Sequence, residues 1–303
     1  MYSRLQIVKQ LVPGLRIVFD THLQSYPEEW SKLFMTETSA RAFEEEVLMP
    51  GFAGAAVKAE GAPVQYASSQ EGWTSRYTHV TVALAFAITE EAMEDNLYES
   101  LSKKGVRWLA RAMAHTKEIR GATVINNGFD SNFDGGDGVE LFSTAHPLMN
   151  GGTLSNELAT PADLSETSLE NSIIQISKWT DDVGIPINTI AQSLHIPPEL
   201  QFEAERILKS PYRVNTADND VNALYQLGLI PQGWYVNHRF TDPDAWFLKT
   251  DSDNGLKHFK RAAIKQGTEG DFETGNMRYK ARERYSFGWT DWRGMFGSAG
   301  SAT

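Results

Sequence analysis

The amino-acid sequence predicts an α+β fold, in which helices and strands occupy separate stretches of the chain. Alternating bulky and small residues over 77–88 predict a strand, and apolar residues spaced three and four apart over 89–127 predict a long helix. The last third, from residue 233, consists mainly of strand-like segments. Because no repeat of about 20–50 residues is present, the sequence does not predict a repeat array.

The composition is that of an ordinary globular protein, with 41% hydrophobic and 22% charged residues. The 303 residues suffice for one large domain or two smaller ones. The absence of cysteine excludes disulfides, thiolate metal sites and a cysteine nucleophile. The longest apolar run is Val82–Ile88, far shorter than the ~20 residues of a membrane span. Lys9, Pro13 and Arg16 interrupt the N-terminal apolar stretches. We therefore expect a soluble protein without a signal peptide.

The chain is acidic, with 28 basic and 39 acidic side chains and a net charge of −11. Such a chain gains no counterion-release affinity for a phosphate backbone, which disfavours tight nucleic-acid binding. This charge remains compatible with a protein that encloses nucleic acid without binding it tightly.

The first 76 residues contain two different kinds of segment. Residues 1–50 are predicted to form an arm with short helices at 26–34 and 39–47. Residues 51–76 are rich in glycine and contain a turn signal at 60–63, which predicts a long hairpin. This hairpin has few large apolar residues and is only marginally stable by itself, so we expect it to pack against a neighbouring structure.

The predicted strand at 77–88 has a bulky and a small face, both expected to be covered. Thr89 is a suitable N-cap for the following helix, and Asn127-Gly128 supplies its end. The predicted apolar stripe comprises Met93, Leu97, Leu101, Gly105, Trp108, Ala112 and Ile119. Glycine inside a helix costs ~1 kcal/mol relative to alanine, so Gly105 indicates close packing against a strand. A continuous helix of ~55 Å favours an elongated molecule.

The remaining chain alternates short elements. Residues 129–156 are a glycine-rich, acidic insertion, and Thr167 with Glu170 predicts a capping box for the next helix. Further predictions are helices at 167–179 and 199–209, a strand at 190–196, a polar loop at 215–222, a hairpin pairing 234–240 with 245–250, strands at 258–264 and 277–288, and a frayed tail at 298–303.

A search for catalytic motifs yields no candidate catalytic residue. None of the seven histidines forms an H-x-x-x-H pair, and nucleophile-elbow, P-loop and dinucleotide-binding motifs are absent. Ser143 and His146 lie too close in sequence for a typical triad. We expect His146 to be a loop histidine that is hydrogen-bonded to the backbone.

Two further patterns have a functional and a structural interpretation. Asp130, Asn132 and Asp134 match the first half of a calcium loop, but Leu141 stands where the bidentate glutamate belongs. A weak ion and a plain acidic turn both remain open. Basic and aromatic residues over 278–287 suggest single-strand stacking, but their alternation favours a core strand with one solvated face.

The order of these parts resembles a tailed-bacteriophage major capsid protein of the Hong Kong 97-type fold. The hairpin 51–76 resembles the extended loop of that family, and the helix 89–127 resembles its spine helix. The segments 137–148, 193–198 and 244–248 are similar to stretches of Mu-like head subunits. The resemblance covers roughly residues 20–298.

The resemblance implies a division of the chain into an N-terminal arm (1–50), an extended loop (51–76), a peripheral domain (77–159, with the spine helix 89–127), an axial domain (160–232) and peripheral strands with the tail (233–303). It implies an icosahedral head shell of pentamers and hexamers around double-stranded DNA, in the virion, assembled in the host cytoplasm. It implies no cofactor and no membrane. Separate scaffolding, portal and decoration proteins are the expected partners, and Met1 favours separate scaffolding over a removed propeptide.

Two rival functions stay open from the residues alone. One is an encapsulin-like nanocompartment shell, which has the same fold, and the other is an α+β hydrolase or metalloenzyme. For a shell, we expect Lys58, Tyr66 and Trp73 of the hairpin to contact neighbouring subunits. Glu60 lies two residues from Lys58 on the same strand face and favours the charged ammonium, which predicts a shell without isopeptide crosslinks.

Overall fold

The computed structural model describes residues 4–67, 71–94, 98–213, 220–271 and 273–301. Its helices are α1 (Arg4–Ser25), α2 (Trp30–Leu33), α3 (Glu90–Glu94), α4 (Tyr98–Asn126), α5 (Glu166–Ser177), α6 (Gln201–Lys209) and α7 (Ala223–Leu227), with 3-10 turns at Pro198–Leu200 and Trp292–Gly294. Within these ranges, no helix has both the length and the apolar character that crossing a membrane requires.

The strands form two four-stranded sheets and two strand pairs. They are β1 (Met35–Thr38), β2 (Phe43–Val47), β3 (Thr74–Thr78), β4 (Val80–Ile88), β5 (His146–Pro147), β6 (Thr153–Leu154), β7 (Ala191–Ile196), β8 (Trp234–Val236), β9 (Trp246–Thr250), β10 (Leu256–Gly270), β11 (Met277–Trp289) and β12 (Met295–Ser298). The first sheet has the order β1-β10-β11-β4 and the second has the order β12-β9-β7-β8. The pairs are β2-β3 and β5-β6. This mixed architecture confirms the predicted α+β class.

The long helix is present as α3 and α4, while residues 95–97 lie outside the described residues. The buried face of α4 is formed by Val106, Leu109 and Met113, whereas Trp108 is 67% and Ile119 is 42% exposed. The predicted stripe was therefore wrong at these two positions, because the buried face is rotated around the helix. The side chains of Met93, Leu97 and Leu101, also predicted in the stripe, are outside the described part.

Gly105 is the point where α4 approaches the first sheet most closely. A Cβ atom at this position would lie 2.7 Å from Cε2 of Phe86 on β4. Phe86 in turn stacks on Tyr279 of β11, with ring centroids 5.2 Å apart. The predicted packing of Gly105 against a strand is confirmed, because no larger side chain fits without moving the Phe86 ring.

The N-terminal region differs from the prediction in both of its parts. The 22-residue helix α1 was not predicted, and its Leu15 and Phe19 are buried against α4 and the first sheet. The helix predicted at 26–34 is reduced to α2, and the segment predicted as helix 39–47 contains the strand β2. The acidic run Glu44–Glu46 alternates between partly buried and exposed, which is a strand pattern rather than a helical one.

The first sheet combines a short parallel pair with long antiparallel strands. Strand β1 is parallel to β10, which pairs antiparallel with β11, which in turn pairs antiparallel with β4. The two predicted strands at 258–264 and 277–288 are confirmed and extended by this long ribbon. Residues of β11 alternate between buried and exposed from Met277 to Glu283, as the core-strand interpretation predicts. The small residues Ala83, Ala85 and Ala87 of β4 are exposed, so the expectation that both faces are covered is wrong for the single chain.

The second sheet packs with α5 and α6 around a separate apolar cluster. Trp179, Leu194, Trp246 and Phe296 are almost completely buried in it. The predicted hairpin 234–240/245–250 is wrong, because β7 lies between β8 and β9 and pairs with both. Sequence proximity suggested the hairpin, but residues 237–245 cross over to the far side of β7.

Two local predictions around this sheet are corrected by hydrogen bonds. Helix α5 is capped by Ser165 with Ser168, rather than by Thr167 with Glu170. The tail is anchored up to its last described residue: Ser298 is 1% exposed, and Ser301 Oγ donates to Asp163 Oδ1 at 2.8 Å. Residues 302–303 and most of the polar loop predicted at 215–222 lie outside the described residues.

Candidate assembly surfaces

The segment between β2 and β3 is an extended loop that leaves the body of the subunit. The antiparallel pair β2-β3 forms its base, and the pairing continues where Leu48 N donates to Trp73 O at 2.8 Å. Beyond this point, residues 49–67 and 71–73 contain neither helix nor strand. The predicted turn is present, because Ala62 N donates to Ala59 O at 3.1 Å. The hairpin is therefore paired at its base and open above it.

A buried network of charged and hydroxyl groups fixes the base of this loop to the first sheet. Lys257 Nζ of β10 lies 2.6 Å from Glu46 Oε1 of β2 and 3.1 Å from Glu37 Oε1 of β1. The other oxygen of Glu46 accepts a hydrogen bond of 2.6 Å from Thr290, which also contacts the hydroxyl of Tyr77. Burial raises the pKa of Tyr77 and keeps this phenol neutral. These contacts set the direction in which the loop leaves the subunit.

The three predicted contact residues occupy different positions on the loop. Lys58 lies in the fully exposed stretch before the turn, and Tyr66 after it is 98% exposed. Val57 beside Lys58 is likewise without any cover from its own subunit. Trp73 differs, since it is only partly exposed and lies at the paired base. Its indole Nε1 is buried without a hydrogen-bond partner among the described residues. The loop thus presents apolar and charged side chains that the described part of its own chain leaves uncovered.

A second connection joins the spine helix to the segment that enters α2. Glu118 of α4 is 5% exposed, and its two carboxylate oxygens accept hydrogen bonds of 3.0 Å from the backbone N–H groups of Glu29 and Trp30. Burial raises the pKa of Glu118 to about 7, although both hydrogen bonds oppose that change. Glu29 in turn binds His238 and Arg239. No local sequence pattern indicates this cluster, because its members are far apart along the chain.

The candidate enzymatic residues form structural contacts instead of a reactive site. His146 is completely buried; its Nδ1 lies 2.7 Å from Asp137 Oδ2 and its Nε2 lies 3.1 Å from Asn156 Oδ1. Its ring stacks on Trp292 at 4.6 Å. The expectation of backbone hydrogen bonds was therefore wrong, since both ring nitrogens contact side chains. Ser143 donates its backbone N–H to the same Asn156 oxygen. Ser143 and His146 therefore hold the loop between them in place through Asn156.

The segment that matched half of a calcium loop is closed by its own hydrogen bonds. Asp130 Oδ1 accepts hydrogen bonds from the backbone and the side chain of Asn132, at 3.0 and 2.6 Å. Among the described residues, no group of three or more histidine or carboxylate side chains is placed to hold a metal ion. The local geometry is that of an acidic turn.

Comparisons with known proteins agree with this arrangement. The family described as "Phage capsid protein" matches residues 70–297, which is more than half of the chain. No curated protein matches the chain significantly in sequence. The solved structures below are similar in fold at very low sequence identity, so they bear on the fold alone.

The fold extends over almost the whole chain in these structures. The capsid of an empty GTA particle has 12% identity and a TM-score of 0.56, over 91% of this chain and 90% of that one. The procapsid of bacteriophage JBD30 has 16% identity and a TM-score of 0.50, over 97% and 76%. The virus-like particle from Pyrococcus furiosus has 9% identity and a TM-score of 0.51, over 94% and 97%. With a matching family over residues 70–297 and the Hong Kong 97-type capsid architecture, the chain belongs to the phage capsid protein family and is a major capsid subunit of a phage head.

Proposed function

We propose that this subunit closes the icosahedral head through its extended loop, which contacts neighbouring subunits by Lys58, Tyr66 and Trp73. The observation that carries this proposal is the loop itself. Its base is fixed by the buried Lys257–Glu46 contact, whereas Val57 and Tyr66 beyond it are almost fully exposed. A rigid base below an uncovered, partly apolar segment favours a contact made outside the chain.

The two sheets support a division into a peripheral and an axial domain. The peripheral domain comprises the helix predicted over 89–127, the strand β4 and the ribbon of β10 and β11. Gly105 of the helix packs on Phe86 of β4, which stacks on Tyr279 of β11. The axial domain comprises residues 160–232, with β9 and β12 completing its sheet. In the shell, the axial domains meet in pentamers and hexamers.

The subunit surrounds double-stranded DNA without sequence-specific binding and has no catalytic activity of its own. The net charge of −11 supports a wall that leaves packaged DNA mobile. Scaffolding, portal and decoration proteins complete the head, and assembly takes place in the host cytoplasm. The match to a phage capsid family favours this head shell over an encapsulin-like nanocompartment.

Electron microscopy of the purified protein tests the shell directly. The protein, expressed alone and together with the genes that flank it, is expected to form closed icosahedral particles, with density for the extended loop over an adjacent subunit. A monodisperse ~34 kDa monomer under every condition would contradict the proposal. Neighbouring terminase and portal genes support the phage head, and a neighbouring cargo enzyme would favour the nanocompartment.

A further inference from the structure

The outer edge of β4 is a long open strand edge of the first sheet. β4 has nine residues, Val80–Ile88, and pairs with β11 on one side only. The other three edge strands, β1, β8 and β12, have three or four residues each. Proteins commonly protect long edges with charges, proline or bulges. β4 contains no charged residue and no proline, and its register with β11 is unbroken, so this edge is unprotected.

The sheet face beside this edge carries small and basic side chains. Ala83, Ala85 and Ala87 are exposed, and each lies directly opposite a basic residue of β11: Arg282, Lys280 and Arg278, respectively. Within the described residues, Lys280 and Arg282 form no ion pair, whereas Arg278 binds Asp271. Because the exposed side chains of β4 are small, a segment that pairs with this edge should have an extended backbone and small side chains.

The first arm of the extended loop, residues 51–59, has both properties. It equals β4 in length and contains mainly glycine and alanine. Among residues 52–67, the hydrogen bond from Ala62 N to Ala59 O is the single backbone–backbone hydrogen bond within the described part of the chain. Lys58 is the one charged residue of the arm, and Glu60 follows at the turn, so the pairing rests on the backbone and not on a difference in charge. The unpaired backbone N–H and C=O groups of the loop can therefore form hydrogen bonds with those of the β4 edge.

We infer that in the assembled shell the first arm of the extended loop, residues 51–59, pairs as an added strand with the outer edge of β4 in a second copy of this chain. Strand addition satisfies main-chain donors and acceptors on both partners without needing large apolar side chains. The small residues of β4 permit the close approach of the arm. This inference rests on the proposed role of the loop in closing the shell.

Engineered cysteines test the pairing in assembled particles, because the natural chain contains none. Ala85→Cys is combined in turn with Ala53→Cys, Gly54→Cys, Ala55→Cys, Ala56→Cys or Val57→Cys, so that both faces of the arm are sampled. Mild oxidation of the particles should link subunits into chains on a non-reducing denaturing gel in at least one pair. Ala223→Cys, at an exposed position on α7, replaces Ala85→Cys in the matched control and should give no links.

Hydrogen exchange of the unmodified protein provides a second readout. Amides of 80–88 should exchange at least ~10-fold more slowly in shells than in dissociated subunits, because paired amides must open first. Shells that form normally but show neither loop–β4 links nor this protection would overturn the inference and leave the proposed function standing. Links formed by Ala85→Cys alone would show that β4 pairs with another β4, which also overturns it. Failure to form any shell would overturn both.

Discussion

Lys257 Nζ lies 2.6 Å from Glu46 Oε1, and this contact ties the base of the extended loop to the middle of the first sheet. The Lys257 side chain is 5% exposed and also reaches Glu37, so one buried cation serves two carboxylates. The neighbouring strands β1 and β2 meet the distant strand β10 at this point. The direction of the loop is therefore decided by a charge contact that no local pattern reveals.

Lys257→Met should destabilise the subunit by roughly 2–4 kcal/mol. The substitution leaves the carboxylates of Glu46 and Glu37 without their buried cation, and solvent screens Glu37 only partly. Urea unfolding of dissociated subunits measures this change. Lys265→Met, the same substitution at an exposed position of β10, is the control and should change stability by less than about 0.5 kcal/mol. Equal stabilities for both variants would contradict the anchoring role.

Gly105→Leu should destabilise the subunit by about 1–3 kcal/mol and reduce assembly, because the new side chain collides with the Phe86 ring. Thermal unfolding and particle yield are the measurements. Gly270→Leu, at the exposed end of β10 where an added Cβ meets nothing within 4 Å, is the control. Combining Gly105→Leu with Phe86→Ala should recover part of the loss, and a Gly105→Leu subunit of increased stability would show that the position tolerates bulk.

Replacing residues 52–67 with a short Gly-Ser linker should leave the subunit folded but unable to form closed shells. A deletion that extends to residue 75 is unsuitable, because Ser75 belongs to β3 and is 6% exposed. We expect cooperative unfolding within a few degrees of the full chain, and no icosahedral particles by electron microscopy. Loss of the cooperative transition would place the loop in the core instead.

Boiled, detergent-denatured particles should run as a single band near the 33.8 kDa monomer mass. This outcome is expected because Lys58 is exposed to solvent in its own subunit, whereas isopeptide formation needs an amine that is desolvated in an apolar pocket. The shell is then held by burial summed over many interfaces. A ladder of covalent oligomers that disappears in Lys58→Ala particles would refute the noncovalent shell.

Glu118 should make the subunit less stable as the pH rises. Burial raises its pKa from the ordinary 4.5 to about 7, so between these values the folded chain holds a proton that the unfolded chain has released. This contribution is fully present below pH 4.5 and is lost as the pH rises through about 7. Wild-type subunits should lose about 1–3 kcal/mol more than Glu118→Gln subunits between pH 5 and pH 8.

Urea unfolding of wild-type and Glu118→Gln subunits at pH 5 and pH 8 measures this difference in stability. His115→Gln, at an exposed position one turn earlier on α4, is the control, since histidine titrates over the same range. Its pH dependence should stay close to that of the wild type. Parallel curves for the wild type and Glu118→Gln would show that Glu118 titrates normally.

Local patterns in the sequence determined much of the secondary structure. The alternation over 277–288 and the period over 98–126 appear as β11 and α4, because burial on one face imposes a repeat on nearby residues. Gly105 could be identified as a close contact for the same reason, since a helix interior tolerates glycine poorly without one. The order of these parts carried the resemblance to a phage capsid, which the family match confirms.

Only the tertiary structure decided which distant segments meet. α1 was missed because Pro13 and Arg16 interrupt its pattern, and its buried residues are defined by packing on α4. β7 enters between β8 and β9, although those two are closer together in sequence. The Lys257–Glu46 and Glu118–Trp30 contacts join residues 211 and 88 positions apart. Periodicity records which face of an element is buried, but the partner that buries it is selected by packing and charge over the whole chain.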